Sequence, residues 1–195
     1  MTSSTALWYS SRATGVVCLV LLTVVVVLGI VVNRQGRLPG LPRFAGLGLH
    51  RYLSLLAVGF LVVHVLTAVA DPFVSIRLAA TIIPFASAYK PLWLGLGAVS
   101  LDLMAAIIVT SLLRRRIGRR PWRAVHWLAY VSWPVALAHS IGSSTDMRSG
   151  PLLDLAVVCT LAVLAATAWR VAGTLRAVPR AGRVPALMAE RELAP

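Results

Sequence analysis

"HWLAYVSWPVALAH", residues 126–139, is an apolar stretch with a histidine at each end and Pro134 between them. At 1.5 Å per residue a helix of this length covers about 21 Å, which is most of a membrane-spanning helix. Histidine is costly in lipid, and ionisable side chains at that depth normally face a partner inside the bundle. The two histidines therefore predict partners at two depths of a membrane.

The composition of the whole chain agrees with a membrane protein. Of its 195 residues, 58% are hydrophobic, and they gather in stretches of roughly 20 residues, the length that crosses a hydrocarbon core. The apolar segment 71–91 is interrupted by Pro72, Arg77 and Pro84, which favours an interfacial or re-entrant helix over a further span. We predict an all-α integral membrane helical bundle of about five transmembrane helices, at residues 13–32, 48–70, 92–113, 122–141 and 152–173.

The basic residues predict how the bundle lies in the membrane. The formal net charge is +13, but the arginines lie mostly between or beyond the apolar stretches, with six of them in residues 114–123. Arginines in such loops set the topology and contact anionic lipid headgroups, so we predict no nucleic-acid partner. The positive-inside rule predicts an external amino terminus and a cytoplasmic carboxyl terminus. The Arg-, Ala- and Val-rich composition is typical of a GC-rich bacterial genome, so we predict a multi-pass protein of the bacterial cell (inner) membrane.

Motifs for other cofactors do not occur in the sequence. Cys18 and Cys159 each stand alone in an apolar stretch, which favours packing, and no C-x-x-C-H motif for covalent haem attachment occurs. The G-x-G patterns of "GLGLH" and "LGLGAV" follow no predicted strand, so we interpret their glycines as helix-packing residues. We expect no flavin- or nicotinamide-binding domain in the short cytoplasmic loops and tail.

The four histidines form a matched pattern. His50 and His64 lie 14 residues apart in the second predicted span, and His126 and His139 lie 13 residues apart in the fourth. Each spacing covers roughly 20 Å along a helix, and both helices are predicted to run from the cytoplasmic to the external side. His50 and His126 (the inner pair) therefore share one depth, and His64 and His139 (the outer pair) share the other.

Two imidazoles at one depth are what a six-coordinate b-type haem requires, because the porphyrin supplies four nitrogens and the helices supply both axial ligands. We predict two haems b, the inner held by His50 and His126 and the outer by His64 and His139. A different class stays open, namely a non-redox metal-binding transporter or a structural membrane subunit. Histidines ~20 Å apart on one helix cannot share a single ion, which disfavours that class.

The 13-residue spacing does not fit a straight helix. At about 100° per residue, 14 residues fall about 40° short of whole turns, so His50 and His64 share a face. Thirteen residues fall about 140° short, so His126 and His139 do not. Either Pro134 kinks or rewinds the helix between them, or the two haems are offset sideways.

The spacings of 14 and 13, each after a basic cytoplasmic loop, resemble the ferric reductase-like transmembrane domain family. The segments "PLWLG", "TSLLRRR" and "HWLAY" are similar to its bacterial branch, over about residues 46–150. That family includes the haem cores of NADPH oxidases and ferric reductases and the membrane haem subunit of the periplasmic methionine-sulfoxide reductase. The resemblance implies that the four histidines carry electrons outward through two haems. The chain departs from the family in having five predicted spans, where many members have six, and in showing no flavin or nicotinamide domain.

Three further residues are predicted near the haems. Arg51 and Arg123 adjoin the inner pair, where their side chains either bind haem propionates or extend to lipid headgroups. Trp133 lies between the two levels, where it either bridges the haems for electron transfer or packs in the core.

These features predict an electron-transfer subunit of an oxidoreductase rather than a complete enzyme. The electron donor is a cytoplasmic flavoprotein reductase or a membrane quinol, and a quinol donor would make the chain a quinone-linked cytochrome b anchor. The acceptor is an external flavin protein, ferric iron or another external oxidant. We divide the chain into an N-terminal helix and cytoplasmic loop (1–45), a haem-binding domain with a four-helix core (46–174) and a basic cytoplasmic tail (175–195).

Overall fold

A computed structural model describes residues 3–33, 43–72, 74 and 76–176. Within these ranges the chain forms helices and no strands, which confirms the predicted all-α fold. Arg34 and Arg37 of the first predicted cytoplasmic loop, and residues 177–195 of the predicted tail, lie outside the described residues.

The helices of the described chain differ widely in length. In chain order they are α1 (Ser3–Asn33), α2 (Arg43–Ala70), α3 (Ala79–Ile82), α4 (Pro91–Leu112), α5 (Arg114–Ile117), α6 (Arg119–His126), α7 (Ala129–Ser143), a 3-10 helix (Asp146–Arg148) and α8 (Gly150–Arg176).

Four of the five predicted spans are continuous helices, long and apolar enough to cross a membrane. The stretch predicted as the fourth span, 122–141, differs, because α6 ends at His126 and α7 begins at Ala129. The sequence left a kink or local rewinding by Pro134 open for this stretch, and the structure divides it into two helices. The fold class is unaffected, because the described chain is still a helical membrane bundle. The four continuous spans are Thr5–Asn33, Phe44–Ala70, Pro91–Leu112 and Gly150–Leu175.

The break between α6 and α7 is a tight turn with its hydrogen bonds intact. The backbone N–H of Leu128 donates to Val125 at 2.9 Å, and that of Tyr130 donates to Trp127 at 3.1 Å. Pro134 explains why the α-helical register is weak here, since it cannot donate to the Tyr130 carbonyl and its ring crowds that carbonyl. Because the backbone N–H groups of Trp127, Leu128 and Tyr130 remain paired, such a turn is tolerated at membrane depth.

Within the described residues of the segment before α4, no helix is long enough to cross a membrane. The helix that they form, α3, has four residues, far fewer than the ~20 that cross a membrane. Leu78, Ile82 and Ile83 are exposed apolar side chains on this segment, as expected of a chain lying at a membrane interface. Phe85 packs so closely against α4 that a Cβ on Gly95 would come within 2.2 Å of its ring. This arrangement agrees with the predicted interfacial helix.

The core of the bundle lies between α1, α7 and α8. Ile30 of α1 is 1% exposed, and it belongs to one apolar cluster with Trp133 of α7 and Cys159 of α8. In contrast, Leu55 and Leu66 of α2 are exposed, as is typical of a lipid-facing span. Since lipid offers no hydrophobic force between helices, close packing and buried hydrogen bonds hold such a core.

Candidate functional site

The fold brings the four histidines together in the two predicted pairs. His50 of α2 faces His126 at the end of α6, with ring centroids 6.5 Å apart and planes at 70°. His64 of α2 faces His139 of α7, with centroids 6.4 Å apart and planes at 76°. The two sites therefore have nearly the same geometry, although the histidines that face α2 come from different helices, α6 and α7.

The turn after α6 explains how a 13-residue spacing serves both sites. Between Val125 and Val131, three backbone hydrogen bonds run from residue i+3 to residue i, the 3-10 pattern. A residue in that pattern turns about 120° instead of about 100°, so the stretch supplies part of the ~140° that a straight helix lacks. Local rewinding, one of the two explanations that the sequence left open, is therefore present in the structure.

The ring separation fits one metal ion between each pair. Histidine nitrogens bind a metal at about 2.0–2.1 Å, and the ring centre lies about 1.2 Å behind the nitrogen, so two ligating rings have centres about 6.4–6.6 Å apart. No group of three or more His, Cys, Asp or Glu residues that could hold an ion occurs in the described ranges. Two imidazoles alone suit a metal whose other ligands come from a macrocycle, as in haem.

In each histidine of the outer pair, one ring nitrogen, Nδ1, is hydrogen-bonded to a backbone carbonyl. His64 Nδ1 donates to the backbone carbonyl of Ser11 at 2.8 Å, and His139 Nδ1 donates to that of Trp93, also at 2.8 Å. A carbonyl only accepts, so both rings carry their proton on Nδ1. This arrangement leaves Nε2 as the free ligand atom, and it is the usual way in which a protein orients a ligating imidazole.

The inner pair lacks such hydrogen bonds. Nδ1 of His50 and Nδ1 of His126 are both buried and have no hydrogen-bond partner. The His50 ring approaches the carbonyl of Val25, but it does not reach hydrogen-bond geometry. His126 instead stacks on Trp122, with centroids 5.0 Å apart and planes at 30°.

Glycines on neighbouring helices make room for three of the four rings. A Cβ on Gly15 would come within 2.9 Å of His64, one on Gly29 within 3.2 Å of His50, and one on Gly97 within 2.7 Å of His139. The close approach of Gly97 confirms the interpretation of "LGLGAV" as a packing segment. Gly15 and Gly29 were missed, although their 14-residue spacing in α1 repeats that of the two histidines in α2.

A cavity of about 270 Å³ surrounds the outer pair. Its lining comes mainly from α1, α2, α4 and α7, with further residues from α3, the 3-10 helix and α8, and it does not include the inner pair. Arg12 and Asp146 form an ion pair in its lining. The apolar part of the lining includes Leu22, Ala57, Leu61, Leu101 and Met104.

The other three predicted residues take different positions. Arg51 and Arg123 are exposed on α2 and α6, beside the inner pair, and their contact with propionates stays a prediction. Trp133 is 5% exposed and its Nε1 donates to Thr23 Oγ1 at 2.9 Å. That environment supports a packing role for Trp133, and the electron-bridging role stays a prediction.

Comparison with known proteins gives one match. The family model described as "Ferric reductase like transmembrane component" matches residues 14–137. That range runs from α1 into α7 and contains His50, His64 and His126, and it ends two residues before His139. No curated protein and no solved structure matches the chain.

Proposed function

We propose that this chain, which belongs to the ferric reductase-like transmembrane component family, is a membrane electron-transfer protein with two b-type haems. The observation that supports the proposal best is the presence of two facing histidine pairs with ring centroids 6.5 and 6.4 Å apart. A haem iron would supply one-electron chemistry at each site. His50 with His126 and His64 with His139 would hold the two irons, and the packed helices around them would limit access of water.

The direction of electron flow follows from the charges. Positive-inside topology puts α5 and α6, with their exposed arginines, at the cytoplasmic face, next to the inner pair. The outer pair then lies near the external face, within the cavity of α1, α2, α4 and α7. Electrons thus enter at His50 and His126 and leave from the side of His64 and His139.

The donor we favour is an acidic flavoprotein. Arg114, Arg115, Arg116, Arg119, Arg120 and Arg123 are all exposed. Such a surface steers an acidic partner in a salt-dependent way. A quinol is the second candidate donor. The acceptor is an external oxidant, either ferric iron or a flavin on another protein.

The same geometry argues against a metal transporter. Each site offers only two protein ligands, both neutral imidazoles, and the sites are separated by roughly 20 Å of helix. A transported ion would need further oxygen or sulfur ligands, and no group of three or more such residues occurs in the described chain.

Haem content of the purified full chain tests the proposal. We expect a reduced-minus-oxidised spectrum of b type and, by pyridine haemochrome, about two haems per chain. Gly59→Ala serves as the matched control, because a Cβ there meets nothing within 4 Å. A colourless protein that instead carries bound zinc or copper would refute the haem assignment and favour the metal-binding class.

A further inference from the structure

The two outer histidines contact their neighbouring helices in the same way. We call the carbonyl that accepts from each ring, together with the glycine four residues further along, the seat of that histidine. His64 donates to the carbonyl of Ser11 and contacts Gly15, four residues further along α1. His139 donates to the carbonyl of Trp93 and contacts Gly97, four residues further along α4. In a helix, residue i+4 stands directly above the carbonyl of residue i. A glycine there leaves that carbonyl uncovered, so an imidazole from another helix can reach it.

The inner pair only partly repeats this arrangement of a carbonyl and a glycine four residues later. Val25 and Gly29 occupy the corresponding positions in α1 for His50, 14 residues after Ser11 and Gly15. The Cβ clearance at Gly29 is wider, 3.2 Å, and Nδ1 of His50 makes no hydrogen bond. None of Gly15, Gly29 and Gly97 contacts His126, and the Nδ1 of His126 also has no partner. The two levels thus differ by two ligand hydrogen bonds.

This difference has a chemical consequence for a bound iron. An Nδ1–H that donates to a carbonyl raises the basicity of the ring, so Nε2 becomes a stronger electron donor. Stronger axial donation stabilises the ferric state relative to the ferrous state and so lowers the reduction potential. Exposed Arg51 and Arg123 lie near the inner pair, and their positive charge acts in the same sense by favouring reduction there.

We propose that Gly15 and Gly97 are positioning residues that hold the outer histidines on backbone carbonyls and thereby give the outer haem the lower reduction potential. The inference rests on the proposed di-haem function and adds to it which of the two sites has the lower reduction potential. An electron entering from the cytoplasm rests on the inner level and reaches the outer level when an external acceptor removes it. The seats therefore limit the time for which an electron is exposed to adventitious oxidants at the outer face.

A redox titration of the full chain in lipid nanodiscs tests the proposal. Wild type should give two one-electron waves, and the variants His64→Ala and His50→Ala assign them to the outer and inner levels. Gly15→Ala and Gly97→Ala push the outer rings off their carbonyls, so the outer wave should move to a more positive potential while the inner wave stays. A tenfold change in ferric preference, the size expected for one hydrogen bond, corresponds to about 59 mV. Gly59→Ala should move neither wave.

An infrared measurement covers the case in which these glycine variants lose the outer haem. Redox-difference spectra of wild type labelled with ¹⁵N at histidine Nδ1 should contain a hydrogen-bonded and a free Nδ1 population. The hydrogen-bonded one should disappear in His64→Ala/His139→Ala. The inference would be overturned if the histidines of the two haems had identical Nδ1 signatures. It would also be overturned if the outer wave did not move in a glycine variant that keeps both haems. Either result would leave the di-haem function standing. A wild type without haem would instead refute the proposed function itself.

Discussion

The outer and inner histidine pairs have the same ring separation but are held in different ways. The outer pair sits in a cavity of four helices, with both Nδ1 atoms on backbone carbonyls. The inner pair depends on the turn after α6, which rotates His126 towards α2, and its Nδ1 atoms have no partner. Rigid helix packing therefore preorganises the outer site, whereas the inner site depends on one local distortion of the backbone.

The largest effect that follows from this comparison is expected at Gly97. Gly97→Leu places a branched side chain where even a Cβ comes within 2.7 Å of His139. Overfilling a packed site displaces the ring, so the variant should lose the outer haem and retain about one haem per chain. Haem quantitation and the loss of one wave in a redox titration measure this. Gly59→Leu, on an exposed face of α2, is the control and should keep both haems.

A smaller effect, on retention of the inner haem, is expected from substitution of Arg170 of α8. Its guanidinium lies 4.6 Å from the Trp127 ring centre and 5.3 Å from that of Tyr130, and it donates to the Tyr130 hydroxyl. These contacts brace the turn that orients His126. Arg170→Leu should weaken retention of the inner haem about tenfold, the equivalent of ~1.4 kcal/mol for the lost cation–π contacts and hydrogen bond.

Competition with excess apo-myoglobin, which captures released haem, measures that retention. The outer haem should be lost at the wild-type rate, and Arg170→Lys should be intermediate, since it keeps the charge but not the planar stacking. Equal loss of both haems would show that Arg170 stabilises the whole bundle rather than the turn.

The smallest effect is expected at Trp133, between the two levels. Trp133→Phe removes the buried hydrogen bond to Thr23 while keeping an aromatic ring in the core. We expect a loss of about 1 kcal/mol in the free energy of unfolding, with haem content unchanged. Thermal unfolding in detergent measures the first and the Soret absorbance the second. If Trp133→Phe reduced the rate of electron transfer between the haems by orders of magnitude at unchanged stability, the bridging role would replace the packing one.

The sequence was sufficient to predict the pairing of the histidines, because depth along a helix depends only on residue count and helix direction. Pro134 indicated a possible kink or rewinding, but the sequence did not locate the turn at Trp127 and Leu128, since neither residue breaks a helix and Arg170, which contacts the turn, lies far away in the sequence. The family match also begins at residue 14, inside α1, whereas the sequence segments that resemble the family begin only at about residue 46. The sequence does not predict the role of α1, because its glycines contact the histidines only in the folded structure.

The most direct test of the central claim, that iron is held by histidines paired across helices at two depths, compares double variants. His50→Ala/His126→Ala and His64→Ala/His139→Ala each remove both ligands of one level, so each should retain about one haem per chain. His50→Ala/His64→Ala also removes two histidines, but it takes one ligand from each level. This variant should therefore retain little or no haem. Haem content per folded chain, measured on monodisperse fractions, gives the answer. Retention of one full haem by the variant that lacks both α2 histidines would contradict the account, because the pairing across helices would then be wrong.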